Sequence, residues 1–96
     1  MSGEAPPLSP AVVPRLPRGV RFSRDEARGR FVLLAPERIL EPDEIAVEIL
    51  RRIDGEATLG EIVDQLARDF AAPREEVAAD VEEFLRGLNE KGMIEL

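Results

Sequence analysis

The chain has 96 residues, enough for one domain, and contains no His, Cys, Tyr or Trp. Those absences remove the commonest general base, the best thiol nucleophile, Cys and His zinc ligands and most base-stacking platforms, so the chain reads as a non-enzyme with no cofactor or metal. The net charge of −7 is uneven: residues 1–30 hold six Arg against three acids, net +3, and residues 31–96 hold seven basic against seventeen acidic side chains, net −10.

No stretch approaches the roughly 20 apolar residues of a membrane-spanning helix. The N-terminus lacks the basic-then-apolar order of a secretory signal. The expectation is a cytoplasmic protein, and the absence of cysteine fits a reducing compartment.

Residues 1–18 include Pro6, Pro7, Pro10, Pro14 and Pro17 and show no apolar periodicity. They read as a flexible, partly polyproline-like tail or linker, leaving residues 19–96 as the folding domain. Next, "VRFSRDEARGRFVLL" reads as a hairpin. Val20 and Phe22 alternate with polar neighbours, Gly29 serves the turn, and Phe31 to Leu34 form an apolar strand. Residues 37–41, between Pro36 and Pro42, make a short third strand.

Three helices are predicted. The first runs from Pro42 to Ile53, with Pro42 at the first helical position, Gly55 as its C-terminal cap, and Ile45, Ala46, Ile49, Leu50 and Ile53 as its apolar face. The second runs from Leu59 to Phe70 behind a Thr58–Glu61 capping box, with Leu59, Ile62, Val63, Leu66 and Phe70 toward the core. The third runs from Pro73 to Asn89 with the stripe Val77, Val81, Phe84, Leu85 and Leu88. The closing "MIEL" is expected as a terminal strand or a tucked tail. Pairs at i, i+4 (Glu48–Arg52, Asp64–Arg68, Glu82–Arg86) decorate the wet faces in the favourable order. Glu82 and Glu83, adjacent on a helix, point about 100° apart and do not make a metal site.

A three-stranded antiparallel sheet followed by three helices is an α+β arrangement of winged helix-turn-helix type. Its familiar use is DNA binding, through the second helix of the helix-turn-helix pair. Here that helix carries Arg74, Arg86 and Lys91 against six acids, net −3, a sign that repels phosphate. A second use is peptide capture. An edge strand offers unpaired N–H and C=O groups to an added strand, whose side chains press into the neighbouring strand–helix groove. A third reading is a structural dimerisation domain formed by exchanging the hairpin about Ala35-Pro36.

Three segments in order, "GVRFSRDEARGRFVLLAPERIL", "EIAVEILRRIDGEATLGEIVDQLA" and "EEVAADVEEFLRGLNEKGMI", resemble the pyrroloquinoline quinone (PQQ) biosynthesis protein D family, PqqD. The likeness covers about residues 19–95. It implies a peptide chaperone, or RiPP recognition element, that binds the precursor peptide PqqA and presents it to the radical-SAM enzyme PqqE for Glu-Tyr cross-linking. It also implies that the peptide lies between the third strand and the third helix. Carried onto this chain, the strand side is Glu37, Arg38, Ile39, Leu40 and Glu41. The helix side is Val77, Asp80, Val81, Phe84 and Leu85. Many relatives carry a Leu-Asn-like step where this chain has Leu40-Glu41-Pro42. Pro42 lacks an N–H, so peptide pairing is expected to end by Glu41. In some organisms the domain is fused behind the neighbouring oxidase, which suits a proline-rich linker. The resemblance leaves open a monomer or a hairpin-swapped dimer.

Overall fold

The computed structural model describes residues 7–96. In chain order the elements are β1 Arg21–Asp25, β2 Arg30–Ala35, β3 Arg38–Leu40, α1 Glu44–Leu50, α2 Leu59–Asp69 and α3 Arg74–Glu90. The strands form one antiparallel sheet in the order β1-β2-β3, so the fold is α+β and winged-helix-like.

The register follows from the apolar pattern. Phe22 pairs with Leu33, and Leu33 with Leu40, which puts all three on the face toward the helices. Gly29 takes φ +68 in the β1–β2 turn, a conformation a side chain would disfavour, and donates its N–H to the Asp25 carbonyl. Phe22 and Phe31 stack with ring centroids 5.1 Å apart, and the guanidiniums of Arg24 and Arg51 both lie 5.6 Å from the Phe31 ring.

The helices are shorter or shifted relative to the periodicity. Pro42 stays outside α1. The cap is Asp43, whose carboxylate accepts from the Ala46 N–H at 2.8 Å, and helical geometry begins at Glu44. Gly55 does not cap α1, which closes at Arg51. With φ +81 it instead turns the loop in which the Asp54 carboxylate accepts from the Glu56 and Ala57 N–H groups, each at 2.8 Å. The Thr58–Glu61 capping box is present in both directions. Phe70, expected toward the core, is 58% exposed as the C-terminal cap of α2, just before the left-handed turn at Ala71, φ +50. Pro73 is the N-cap of α3 rather than its first residue.

The core gathers one face of each element. Leu33, Ile49, Ile62, Val81 and Leu85 are at most 1% exposed. Each such side chain contributes about 1.5–3 kcal/mol by leaving water. Met93 and Ile94 are also buried, so the chain end is tucked rather than free. Among the described residues no polar or charged residue is buried.

The segment expected as a linker behaves otherwise. Residues 1–6 lie outside the described residues, but residues 8–18 form a strap across the helices. The Pro10 and Val12 carbonyls accept from the Gly60 and Leu59 N–H groups at 2.9 and 2.7 Å. These are the first amides of α2, which have no partner within the helix. Pro14 is fully buried, and Arg15 exchanges both backbone hydrogen bonds with Glu95. The Leu8 N–H reaches the Glu82 carboxylate on α3. Pro10 has no N–H of its own and the Val12 N–H is taken up by the Ser9 carbonyl, so the strap presents acceptors to a helix end that needs them.

Candidate functional site

β3 is the sheet's edge strand beside the helices. Its three residues follow a two-residue turn, Pro36-Glu37, closed by the pair Ala35↔Arg38. Such a turn closes on a hydrogen-bonded pair, and antiparallel ladders alternate. Leu34↔Ile39 is then the non-hydrogen-bonded pair, and the Ile39 N–H and C=O face the open edge. The Ile39 side chain is 69% exposed. Arg38 is exposed and makes no ion pair among the described residues. Glu41 is held by Arg30 across the sheet.

The edge opens onto a cleft of about 540 Å³ between the end of β3, α1 and α3. Its floor is apolar, built from Leu33, Leu40, Ile49, Leu50, Phe84 and Leu88. Along α3 the lining residues Asp80, Glu83, Phe84, Gly87, Leu88 and Lys91 follow 3–4-residue spacing, which is one helix face. Asp80, Glu83 and Lys91 sit on this rim with no ion-pair partner among the described residues. The arrangement can receive an extended chain at the strand edge and bury its alternate side chains on the apolar floor.

A second cleft, of about 950 Å³, lies on the other side of α1 and is lined by Phe31, Arg51, Phe70, Val77 and Val81 among others. Ile45 and Asp80 line both. Pro42 and Ile49 line both as well, Ile49 from a buried position, whereas Ile45, expected in the core, stands 65% exposed between the two clefts.

The expected site residues therefore separate. Leu40, Glu41, Asp80 and Phe84 come together in the first cleft. Arg38 and Ile39 lie on its strand edge, and Glu37 sits in the turn before it. Val77 and Val81 line the second cleft, Val81 from a buried position. Leu85 is 0% exposed and lines neither cleft, because its side of α3 meets the core. Glu83, Gly87 and Lys91 were missed. The spacing 80, 83, 84, 87, 91 holds the signal, but a mixed stripe of charge, Phe and Gly does not stand out as an apolar face.

The walls are tied in place by charge. Arg52, with its side chain 17% exposed, bridges Glu48 at 2.9 Å and Asp69 at 2.8 Å, joining α1 to the end of α2. Its hydrogen bonds hold both carboxyls below their usual range. Asp54 is lowered too, chiefly by the Ala57 N–H and then by that of Glu56. Of the expected i, i+4 pairs, Glu48–Arg52 forms and Glu82–Arg86 is long at 3.9 Å. Asp64 instead pairs with Arg74 across the α2–α3 turn, leaving Arg68 to Asp69.

Comparison with known proteins places this geometry among relatives. A family model described as coenzyme PQQ synthesis protein D (PqqD) matches residues 30–94. A PqqA binding protein of Bradyrhizobium diazoefficiens is 48% identical over 87 residues, 91% of this chain and 84% of that protein. One of Rhizobium meliloti is 45% identical over 96 residues, 100% of this chain and 98% of that protein. The solution NMR structure of the PqqD truncation of Methylobacterium extorquens PqqCD, described as a functional and stand-alone RiPP recognition element, superposes with a TM-score of 0.77 at 42% identity, covering 92% of this chain and 94% of that one. The crystal structure of PqqD from Xanthomonas campestris gives a TM-score of 0.59 at 38% identity, covering 100% of this chain and 99% of that one.

Proposed function

This chain belongs to the PqqD family, and on that premise we propose that it is the peptide-binding element of PQQ biosynthesis. It binds the precursor peptide PqqA by adding a strand to the free edge of β3, and presents it to the radical-SAM enzyme PqqE for Glu-Tyr cross-linking. One observation carries the reading: an open strand edge with outward N–H and C=O groups at Ile39 stands directly over an apolar cleft walled by α3. Backbone hydrogen bonds at such an edge supply affinity, and the cleft supplies selectivity for alternate side chains. Arg38, Ile39, Leu40 and Glu41 form the strand side of the site, and Asp80 and Phe84 the helix side. Glu37 leads into it. β3 ends at Leu40 and Pro42 leads into the helix capped by Asp43, so added pairing stops at Glu41.

The test is an NMR titration of the full chain with synthetic PqqA. Expected are saturable shifts at Arg38–Glu41 and along α3 between Asp80 and Lys91, all lost in Ile39→Pro, which deletes the outward N–H. Shifts confined to β1 or α2 would overturn the site. For the presentation step, cross-linking by PqqE is expected to depend on this chain and to fail with Ile39→Pro. Equal cross-linking with that variant would overturn the presentation role.

A further inference from the structure

Gly87 lies inside α3, where glycine weakens a helix relative to alanine. Glycine is ordinarily required in a helix by a left-handed backbone, by close approach of another atom, or by a cap. None of these applies. Gly87 has no positive φ, a Cβ built there meets nothing within 4 Å among the described residues, and the left-handed position after the helix is filled by Gly92 at φ +72. What the missing side chain leaves is space, and that space is part of the cleft beside β3.

The surroundings say what the space is suited to. Phe84 and Leu88 stand beside Gly87 on α3, and Leu40 faces the same cleft from β3. One turn away in each direction are Glu83 and Lys91, both exposed. The floor between Phe84, Leu88 and Leu40 is apolar, so an aliphatic or aromatic side chain would fill the volume there, while the charges of Glu83 and Lys91 stay at the rim for the polar flanks of the strand. We propose that Gly87 is the specificity-determining position of the cleft: it keeps open an anchor pocket for one bulky apolar side chain of the strand that pairs with β3. The proposal rests on the peptide-binding reading and adds which kind of residue the peptide must carry.

The experiment measures affinity of the full chain for synthetic PqqA by calorimetry, with Gly87→Ala, Gly87→Leu and Ile39→Pro beside the unaltered protein. Leucine at 87 has open room and a better helix propensity, so the fold and the melting temperature are expected to hold. PqqA affinity is expected to fall at least tenfold in Gly87→Leu and by less in Gly87→Ala. A set of PqqA peptides, each with one bulky apolar residue cut to alanine, supplies the second arm. One of them is expected to bind the unaltered protein about tenfold more weakly, yet to bind Gly87→Leu no more weakly than intact PqqA does. Intact affinity in Gly87→Leu together with lost affinity in Ile39→Pro would overturn the anchor and leave strand addition standing. If Gly87→Leu fails to fold, the peptide set decides: no single residue whose loss exceeds about threefold overturns the anchor. Absence of any PqqA binding by the unaltered protein would remove the peptide reading, and the anchor with it.

Discussion

Asp43 shows how one side chain sets the mouth of the cleft. Its carboxylate caps α1 through the Ala46 N–H and fixes where the chain turns from β3 into the helix. Pro42, the residue before it, has a fixed φ that turns the chain out of the strand and toward the helix. Replacing Asp43 by Ala is expected to cost about 1 kcal/mol, the usual worth of a cap, read as a lower urea midpoint with an unchanged slope. A change well below that would mean that Pro42 alone starts the helix. The carboxyls of Asp54, Glu48 and Asp69 give a second prediction. Each is held below its usual range in the folded chain by hydrogen bonds. A depressed folded pKa contributes stability above the unfolded value, and that stability is lost as pH falls through the folded one. Thermal midpoints are therefore expected to fall on acidification below the ordinary carboxylate range, with a shallower fall in Asp54→Ala. A midpoint flat to acid would refute this.

Among the elements, the strap of residues 8–18 departs most from expectation. A proline-rich segment looked like a linker because it has no apolar period. Its contribution is instead carbonyl groups for the first amides of α2, the buried Pro14, and a two-bond bridge to Glu95. Gly60 makes room for it: a Cβ there would sit 3.2 Å from the Pro10 Cβ and 3.3 Å from the Pro10 carbonyl oxygen. Gly60→Leu is expected to push Pro10 away, so hydrogen exchange at Leu59 and Gly60 quickens while Ile62 and Leu85 stay protected. Unchanged exchange at Leu59 and Gly60 would show that the strap yields without releasing its bonds. The other elements were more legible. The capping box, the hairpin and the Leu59, Ile62, Val63 and Leu66 stripe of α2 follow directly from spacing, because local hydrogen bonding and amphipathic period act over a few residues.

In the molecule as a whole, charge and exposed apolar surface are divided. Basic residues concentrate in the hairpin region and acids in the helices. α3 therefore turns an acidic rim, Asp80 and Glu83, toward the cleft, an unfavourable surface for phosphate and a workable one for a polar-flanked peptide. Ile39 and Ile45, two of the most exposed large apolar residues, stand at the strand edge and on the ridge between the clefts. No helix among the described residues is long and apolar enough to cross a membrane. Arg52 ties α1 to α2, while the cleft separates α1 from α3 along the face that carries Gly87.

By itself the sequence determined the element order, the α+β class, the short proline-bounded third strand and the family likeness. Each depends on local chemistry: periodicity, caps, prolines and glycines. Only the tertiary structure decided which side of α3 faces the core and which the cleft. A helix stripe wider than one face reads the same from either side, and the neighbours that bury Leu85 but leave Phe84 on the cleft are distant in sequence. For the same reason Gly87 is unremarkable in the chain, and only the fold sets it beside space left open among the described residues.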